Sequence, residues 1–404
     1  MLKKMALNIG GVSFVLAMIM LLAALSTIFL GRALTPEEFG EFALMRTLVL
    51  FISPLAVWGQ DVATVRFFSK HDATNYRWDR ALRTILLIAA ILVLLGILIA
   101  STIYGLQWQR SVALFVASLA YVASMFFSNL MRSRQKYSQA ILMLNGFRGA
   151  FFLLILMMLF TQTANAEVAI YAYFGIIVVM MLLNAVMSFR QLPRGASAVP
   201  RDMHSDGLLL MGSQASVTII GSLDSLFIPG MLNLSSLALY QASVVPTQVF
   251  NILGRAAKYV WVPEFGRSKN VQVKRLSILV GLGAVLLLVG MVVFAKPILH
   301  LLFDGKYDEG ANILRILALA GTIRLFYNLG SSVIVGRLDR SALYYHLGVN
   351  IFMVFVEIGL LYTMLKQFNV LGAALTMLIV TTLRALFSYG IIWKFRTQLG
   401  QEPV

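Results

Sequence analysis

The sequence predicts an all-α polytopic membrane protein with twelve transmembrane helices in two six-helix lobes. Of its 404 residues, 59% are hydrophobic and only 12% are charged, which is too little polar surface to cover a water-soluble domain. The apolar residues fall in blocks of about 20 residues, the length of helix that crosses the hydrocarbon core of a bilayer. The connections between these blocks are too short to fold as further domains, so no extramembrane catalytic domain is expected.

Twelve apolar blocks, called spans 1 to 12, are predicted at 7–30, 41–65, 82–104, 111–131, 138–160, 167–188, 207–229, 237–262, 275–295, 310–335, 342–365 and 370–393. Span 1 follows two lysines and is too long for the apolar region of a signal peptide, so we interpret it as an uncleaved helix. The chain has no Cys, and its 4 His are not spaced as metal ligands. No metal site and no cofactor are therefore expected.

The basic residues set the predicted orientation. The chain carries 33 Lys and Arg against 17 Asp and Glu, a net charge of +16. If the spans alternate from an inside N-terminus, 21 of the 33 bases fall in inside segments and 5 in outside loops. This asymmetry is the positive-inside pattern, and it predicts cytoplasmic termini. The basic loops are expected to contact anionic lipid headgroups, and nucleic acid is not an expected partner.

The two halves of the chain resemble each other weakly. "LGRALTPEEFGEFA" at 30–43 parallels "IPGMLNLSSLALYQ" at 228–241, and "MRSRQKYSQ" at 131–139 parallels "IVGRLDRSA" at 334–342. An even number of spans per half predicts lobes related by a pseudo-two-fold axis along the membrane normal, with a central cavity between them. We predict an N-terminal lobe at 1–190, a Pro- and Gly-containing cytoplasmic linker at 191–206 and a C-terminal lobe at 207–404.

Ionisable residues inside the spans are the main functional signal, because charges in a bilayer are costly unless they serve a pathway or a partner. Apart from residues in the first two positions of a span, seven bases and three acids fall within the spans: Arg46, Arg148, Arg255, Lys258, Arg315, Arg324 and Arg384, with Asp61, Asp224 and Glu357. The cationic excess favours an anionic substrate. The three acids are candidates for ion coupling, although the sequence does not decide whether coupling exists.

Helical spacing places several of these bases on polar faces. Gln248, Asn251, Arg255 and Lys258 share one face of span 8, because residues three, four and seven apart align on a helix. Arg46 shares a face of span 2 with Ser53 and Gln60 by the same rule. These faces are predicted to line a water-filled cavity or to contact another helix. In the alternative, Arg46 and Lys258 lie near span ends and extend to the headgroups.

Two other bases are cavity candidates with different competing interpretations. Arg324 in span 10 continues into a polar face through Asn328, and Arg148 in span 5 has Asn145 nearby but no same-helix partner. In the alternative for span 10, Glu357 forms a structural ion pair with Arg324 or Arg384. The predicted substrate-binding set is Arg46, Arg148, Gln248, Asn251, Arg255, Lys258 and Arg324.

Four stretches along the chain resemble the polysaccharide-exporter branch of the MOP superfamily, the Wzx-type flippases. They are 29–70 beginning "FLGRALTPEEFGEFALMR", 221–250 beginning "GSLDSLFIPGMLNLSSLALY", "PILHLLFDGKYDEGANILRILALAG" at 297–321 and "NVLGAALTMLI" at 369–379. The resemblance implies alternating access and transfer of an undecaprenyl-pyrophosphate-linked oligosaccharide across the bacterial cytoplasmic (inner) membrane. It also implies polysaccharide polymerase and assembly proteins as partners. Related lipid II flippases carry a cation in the first helix, whereas span 1 has none, which argues against the peptidoglycan precursor.

Other functional classes fit the sequence less well. A cation-coupled small-molecule or drug antiporter of the related multidrug branch is the principal alternative, but such exporters favour intramembrane acids over bases. A major-facilitator transporter is expected to carry a Gly-rich motif between spans 2 and 3, where this chain reads "SKHDATNYRWDR". The sequence contains no nucleophile–base constellation and no phosphate-binding loop, so no motif in it indicates an enzyme.

Overall fold

The computed structural model describes residues 2–61, 63–64, 76–134, 136–189, 197–198, 212, 215–267 and 273–399. Almost all of this chain is helical. The helices are α1 Leu2–Ala33, α2 Pro36–Ala56, α3 Trp78–Tyr104, α4 Trp108–Ser133, α5 Tyr137–Phe160, α6 Ala166–Phe189, α7 Leu223–Met231, α8 Leu234–Arg267, α9 Val273–Val293, α10 Ala295–Phe303, α11 Ala311–Arg337, α12 Arg340–Phe368 and α13 Val370–Lys394. Two-residue strands, β1 Tyr76–Arg77 and β2 Ser197–Ala198, pair in parallel.

The membrane-spanning character of the helices confirms the predicted fold class. Among the described residues, 9 helices are long and apolar enough to cross a membrane, or 10 if α9 and α10 form one span bent by 70°. The 34-residue helix α8 coincides with predicted span 8. It is long enough to cross a membrane, but its polar residues make it less apolar than the 9 helices counted here. Span 7 is only partly described and ends in the short helix α7. The count of twelve spans stays a prediction.

The chain forms two compact units. The first comprises residues 1–26 and 37–230, and the second comprises 27–36 and 231–404. In the first unit α4 packs against α3, α5 and α6, while in the second α11 packs against α8, α9 and α13. The predicted boundaries at 190 and 207 stay a prediction, because most of the segment 191–206 lies outside the described residues.

Predicted span 2 is not one continuous helix. Helix α2 ends at Ala56, and helical structure resumes at Gln60 after a turn in which Trp58 and Gly59 have φ angles of 42° and 74°. Pro54 lies one turn before this break. Proline weakens the turn that precedes it, because it cannot donate a backbone hydrogen bond there. The break itself coincides with the left-handed φ angles of Trp58 and Gly59. The break places Asp61 at the start of the resumed helical turn.

The predicted outside loop at 296–309 is largely helical. Residues 295–303 form α10, which meets α9 at a 70° bend and is followed by a 3-10 turn at Asp308–Gly310. Helix α10 ends at Phe303 and is followed by Asp304, whose φ of 54° is left-handed, and by Gly305 with a φ of 81°. Two consecutive left-handed residues reverse the chain directly, and glycine adopts this conformation without strain.

The ends of α1 and α10 are capped reciprocally within the second unit. The Arg32 guanidinium donates to the carbonyl oxygens of Leu301 and Leu302, the latter at 2.7 Å. The Lys306 ammonium donates to the carbonyl oxygens of Arg32 at 2.7 Å and Leu34 at 2.6 Å. Cations are favourable at helix C-termini because the last carbonyls lack intrahelical partners. Residues 27–36 are thereby attached to the second unit.

Candidate functional site

An aromatic cluster occupies the first unit between α2, α5 and α6. Its centre is Tyr173, whose ring centroid lies 5.0 Å from Phe151 and 5.7 Å from both Phe42 and Phe147. All four side chains are buried. The Tyr173 contacts are edge-to-face, a favoured geometry because the positive ring edge meets the negative face. The cluster therefore holds neighbouring side chains of α2 and α5 in defined positions.

Two predicted substrate-binding arginines lie on this cluster. The guanidinium carbon of Arg46 is 5.8 Å from the Phe42 ring centroid, and that of Arg148 is 5.7 Å from the Phe147 ring centroid. Both side chains are half-buried. Tyr173 contacts both the Phe42 ring and the Phe147 ring, so the two arginines lie on the same aromatic cluster. The fold thus brings arginines of α2 and α5 to one cluster, which the linear sequence did not reveal.

The arginine pair has the chemistry of an anion site. Each guanidinium is held against an aromatic face, which orients its planar fork. Arg148 makes no ion pair with any carboxylate in the described part of the chain. Two neighbouring cations in a membrane-spanning region repel each other, and an anion that binds both relieves this repulsion. This is the arrangement expected for phosphate or pyrophosphate oxygens.

The rest of the predicted polar face of span 2 packs into protein. Ser53 is completely buried, and its hydroxyl donates to the Ser118 carbonyl of α4 at 3.1 Å. Gln60 is also completely buried. At Ser53 this face therefore contacts another helix, which is one of its two predicted environments. Regular spacing identified the face correctly, but it could not distinguish a hydrated surface from a helix contact.

The two predicted coupling acids of the first unit are both buried. Asp61 is 2% exposed and accepts a hydrogen bond from the Asn129 amide at 3.2 Å. Asp224, near the start of α7, is 5% exposed. Their use in coupling stays a prediction.

A second polar cluster in the other unit joins three predicted substrate-binding residues. The Asn251 amide of α8 donates to the Gln248 side-chain oxygen at 3.1 Å, and Arg324 of α11 donates to the Asn251 side-chain oxygen at 2.9 Å. Arg324 also contacts the Met377 sulfur of α13 at 3.1 Å. Gly321 lets α11 approach α8 closely, since a Cβ there would lie only 2.5 Å from Phe250. Close packing thus brings the three polar side chains together.

The remaining two predicted binding residues, Arg255 and Lys258, have side chains that lie outside the described residues. Their backbone continues α8 beyond Asn251. At four and seven positions beyond Asn251, they occupy the same helical face as the cluster. Whether they act in binding or contact headgroups stays a prediction.

Sequence reasoning missed a buried network around Arg384. The Arg384 guanidinium donates to the Tyr327 hydroxyl at 2.6 Å and to the Asn350 side-chain oxygen at 3.0 Å. It also lies 4.2 Å from the Tyr327 ring centroid. The Asn350 amide in turn donates to the His346 carbonyl. Polar residues four apart in the apolar helix α12 were the signal that could have revealed this network.

Glu357 lies on the same face of α12 as Asn350 and is completely buried. Arg384 binds only neutral oxygens and an aromatic ring among the described residues. The alternative in which Glu357 pairs with Arg384 is therefore wrong. Arg384 is stabilised by its neutral hydrogen-bond partners and by the Tyr327 ring.

Apolar spanning helices that carry clustered polar and cationic side chains define a membrane transport protein. A profile of polysaccharide biosynthesis proteins matches residues 7–269, which is more than half of the chain. The chain therefore belongs to this family, a flippase family of the MOP superfamily.

Two kinds of protein are similar to the chain. An uncharacterised membrane protein of Methanocaldococcus jannaschii is 24% identical over 436 aligned positions, which cover 96% of this chain and 83% of the relative. A Vibrio cholerae MATE transporter is similar in structure, with a TM-score of 0.56, 15% identity and coverage of 97% and 99% of the two chains. An outward-facing multidrug resistance MATE transporter of the MOP superfamily gives a TM-score of 0.57 at 16% identity, covering 96% and 95%. At these identities the solved structures establish the fold.

Proposed function

We propose that this protein moves a polyprenyl-pyrophosphate-linked oligosaccharide across the cytoplasmic membrane by alternating access, for assembly of a surface polysaccharide. Family membership supports a membrane exporter connected with polysaccharide biosynthesis. The observation that carries the choice of substrate is the position of Arg46 and Arg148 on one aromatic cluster. A neutral or cationic substrate gives no reason to hold two cations together inside a membrane-spanning unit.

The pyrophosphate group is the part of this substrate for which crossing the membrane without the protein is most unfavourable. An anion that enters a low-dielectric region loses hydration, and the loss is prohibitive without compensating charge. Arginine supplies that charge over the whole physiological pH range and binds phosphate oxygens in pairs. In this proposal Arg46 and Arg148 replace the hydration of the pyrophosphate, while the polyprenyl chain stays in lipid.

The cluster in the second unit suits a different part of the same substrate. Gln248 and Asn251 offer both amide donors and carbonyl acceptors, and Arg324 adds further donors. Sugar hydroxyls need both kinds of partner, because each hydroxyl donates one hydrogen bond and accepts others. We assign this cluster to the oligosaccharide, and we assign Arg255 and Lys258 to the initial attraction of the anion from the cytoplasmic side.

Three buried carboxyl groups are the proposed sites of ion coupling. Asp61, Asp224 and Glu357 are each at most 5% exposed. A carboxyl in such surroundings can alternate between charged and neutral forms as the local environment changes. We propose that one or more of these groups couples transport to protons or sodium ions. We also propose that both termini lie on the cytoplasmic side and that polysaccharide polymerase and assembly proteins are partners.

The second candidate function is drug antiport, which the shared fold with multidrug transporters makes relevant. Deletion of the gene in the native host distinguishes the two functions. We expect surface polysaccharide to disappear while lipid-linked oligosaccharide accumulates and sensitivity to cationic drugs stays unchanged. Restoration by the plasmid-borne gene is the control. Normal polysaccharide together with increased drug sensitivity would replace the proposal with the antiporter.

A further inference from the structure

A groove runs along the exposed face of the last two long helices, α12 and α13. It has a volume of about 640 Å³. Its lining is mainly aromatic and aliphatic, and includes Ser341, Tyr344, Tyr345, Gly348, Phe352 and Phe387. Both helices are apolar enough to span a membrane. Because the groove opens on their exposed side, its mouth faces lipid.

The length of the groove matches one leaflet of a bilayer. Ser341 and Phe352 mark its extent along α12. At 1.5 Å per residue this segment is about 16 Å long. The hydrocarbon core of a bilayer is about 30 Å thick, so one leaflet contributes about half of that. The groove therefore fits an acyl chain that belongs to a single leaflet.

One end of the groove is cationic and aromatic. The Lys394 ammonium is exposed and lies 4.0 Å from the ring centroid of Tyr345, a groove residue. The Arg396 guanidinium carbon lies 5.5 Å from the Trp393 ring centroid. Asp339 is close in sequence to this end, but its carboxylate accepts the Ala342 backbone N–H as a helix cap. Cations with aromatic rings at a helix end are typical of the headgroup region.

We propose that this groove binds one anionic phospholipid of the inner leaflet. An acyl chain fills the groove beside Gly348 and Phe352, and the lipid phosphate lies against Lys394 and Arg396. The positive charge at the end of the groove selects the anionic headgroup. The length of the groove, which is that of one leaflet, selects a phospholipid chain over a much longer polyprenyl chain. The site is independent of the arginine pair on α2 and α5 and of the proposed transport substrate.

Glycine at position 348 allows a direct test. A Cβ at Gly348 meets nothing within 4 Å, so Gly348→Phe would fill the groove without displacing the helix packing. Gly359 is exposed on the same helix, is equally open and does not line the groove. Gly359→Phe is therefore the matched control. The double variant Lys394→Gln with Arg396→Gln removes the charge and keeps the apolar groove.

The measurement is native mass spectrometry of purified, delipidated protein titrated with phosphatidylglycerol or phosphatidylcholine, with thermal midpoints recorded for every variant. We expect wild type and Gly359→Phe to bind one phosphatidylglycerol about tenfold more tightly than phosphatidylcholine, a difference of about 1.4 kcal/mol. Gly348→Phe loses this lipid, and the charge variant binds both lipids equally weakly. Retained phosphatidylglycerol in Gly348→Phe, retained preference in the charge variant, or displacement by equimolar polyprenyl phosphate would each overturn the proposal.

Discussion

Replacing Arg46 or Arg148 with Ala is expected to reduce surface polysaccharide by about tenfold to a hundredfold while the protein still accumulates in the membrane. Each guanidinium lies against an aromatic ring, and in the proposed function it binds the pyrophosphate. Hydrogen bonds to charged groups contribute about 1.5–3 kcal/mol each, which corresponds to a loss in this range. The measurement is surface polysaccharide per molecule of membrane-inserted protein.

Two further kinds of variant test whether the positive charge at these two positions is what matters. Lys at either position should keep part of the activity, because it retains the charge but loses the planar fork. Arg315→Ala should leave transport unchanged, since Arg315 is bound to Asn312 and to the Val292 carbonyl. Full export in both Arg46→Ala and Arg148→Ala, at normal protein levels, is incompatible with a cationic pathway.

Gly372→Ala is expected to destabilise the second unit by about 3 kcal/mol, near the upper end of overpacking effects. Helix α12 turns into α13 through Asn369, whose φ is 51°. A Cβ at Gly372 would overlap the Met364 carbonyl and approach the Leu365 nitrogen to 2.9 Å. The obstructing atoms are backbone, so no side chain can rotate away. Thermal unfolding in detergent should show a markedly lower midpoint or no folded protein.

A Gly→Ala substitution at another position on α13 should increase stability. Gly390 is exposed, and a Cβ there meets nothing within 4 Å. Ala is a better helix former than Gly by about 0.8–1.0 kcal/mol, so Gly390→Ala should raise the midpoint slightly. Equal effects at Gly372 and Gly390 would show that the turn between α12 and α13 is looser than the structure indicates.

Much of the fold could be predicted because the bilayer imposes a strong constraint on sequence. Blocks of about 20 apolar residues have few alternatives to spanning helices, and most predicted spans coincide with observed helices. The break after Ala56 and the helix α10 were missed for local reasons. Proline weakens a helix without fixing where it ends, and nine apolar residues do not distinguish a loop from a short helix. The left-handed conformations of Trp58 and Asp304 carry no clear sequence signal.

The charged residues of the candidate sites could be predicted from the sequence, but their neighbours could not. Intramembrane charges identified Arg46, Arg148 and Arg324, because charges in spans are uncommon and conspicuous. Their neighbours depend on contacts between helices distant in sequence, so Tyr173 beside the arginine pair was missed. Helical periodicity also grouped Ser53 with Arg46, although Ser53 is buried against α4. Periodicity gives the face of a helix, and packing decides what that face meets.

The central claim is that the Arg46 and Arg148 pair recognises a pyrophosphate during transport. Its most direct test is a proteoliposome assay with a labelled oligosaccharide linked to polyprenyl pyrophosphate, scored by exposure to a membrane-impermeant glycosidase. Wild type should equilibrate this substrate between leaflets and leave the same oligosaccharide on an uncharged polyprenol behind. The Arg46→Ala, Arg148→Ala double variant should move neither. Equal rates for both lipids in wild type, or wild-type rates in the double variant, would contradict the account.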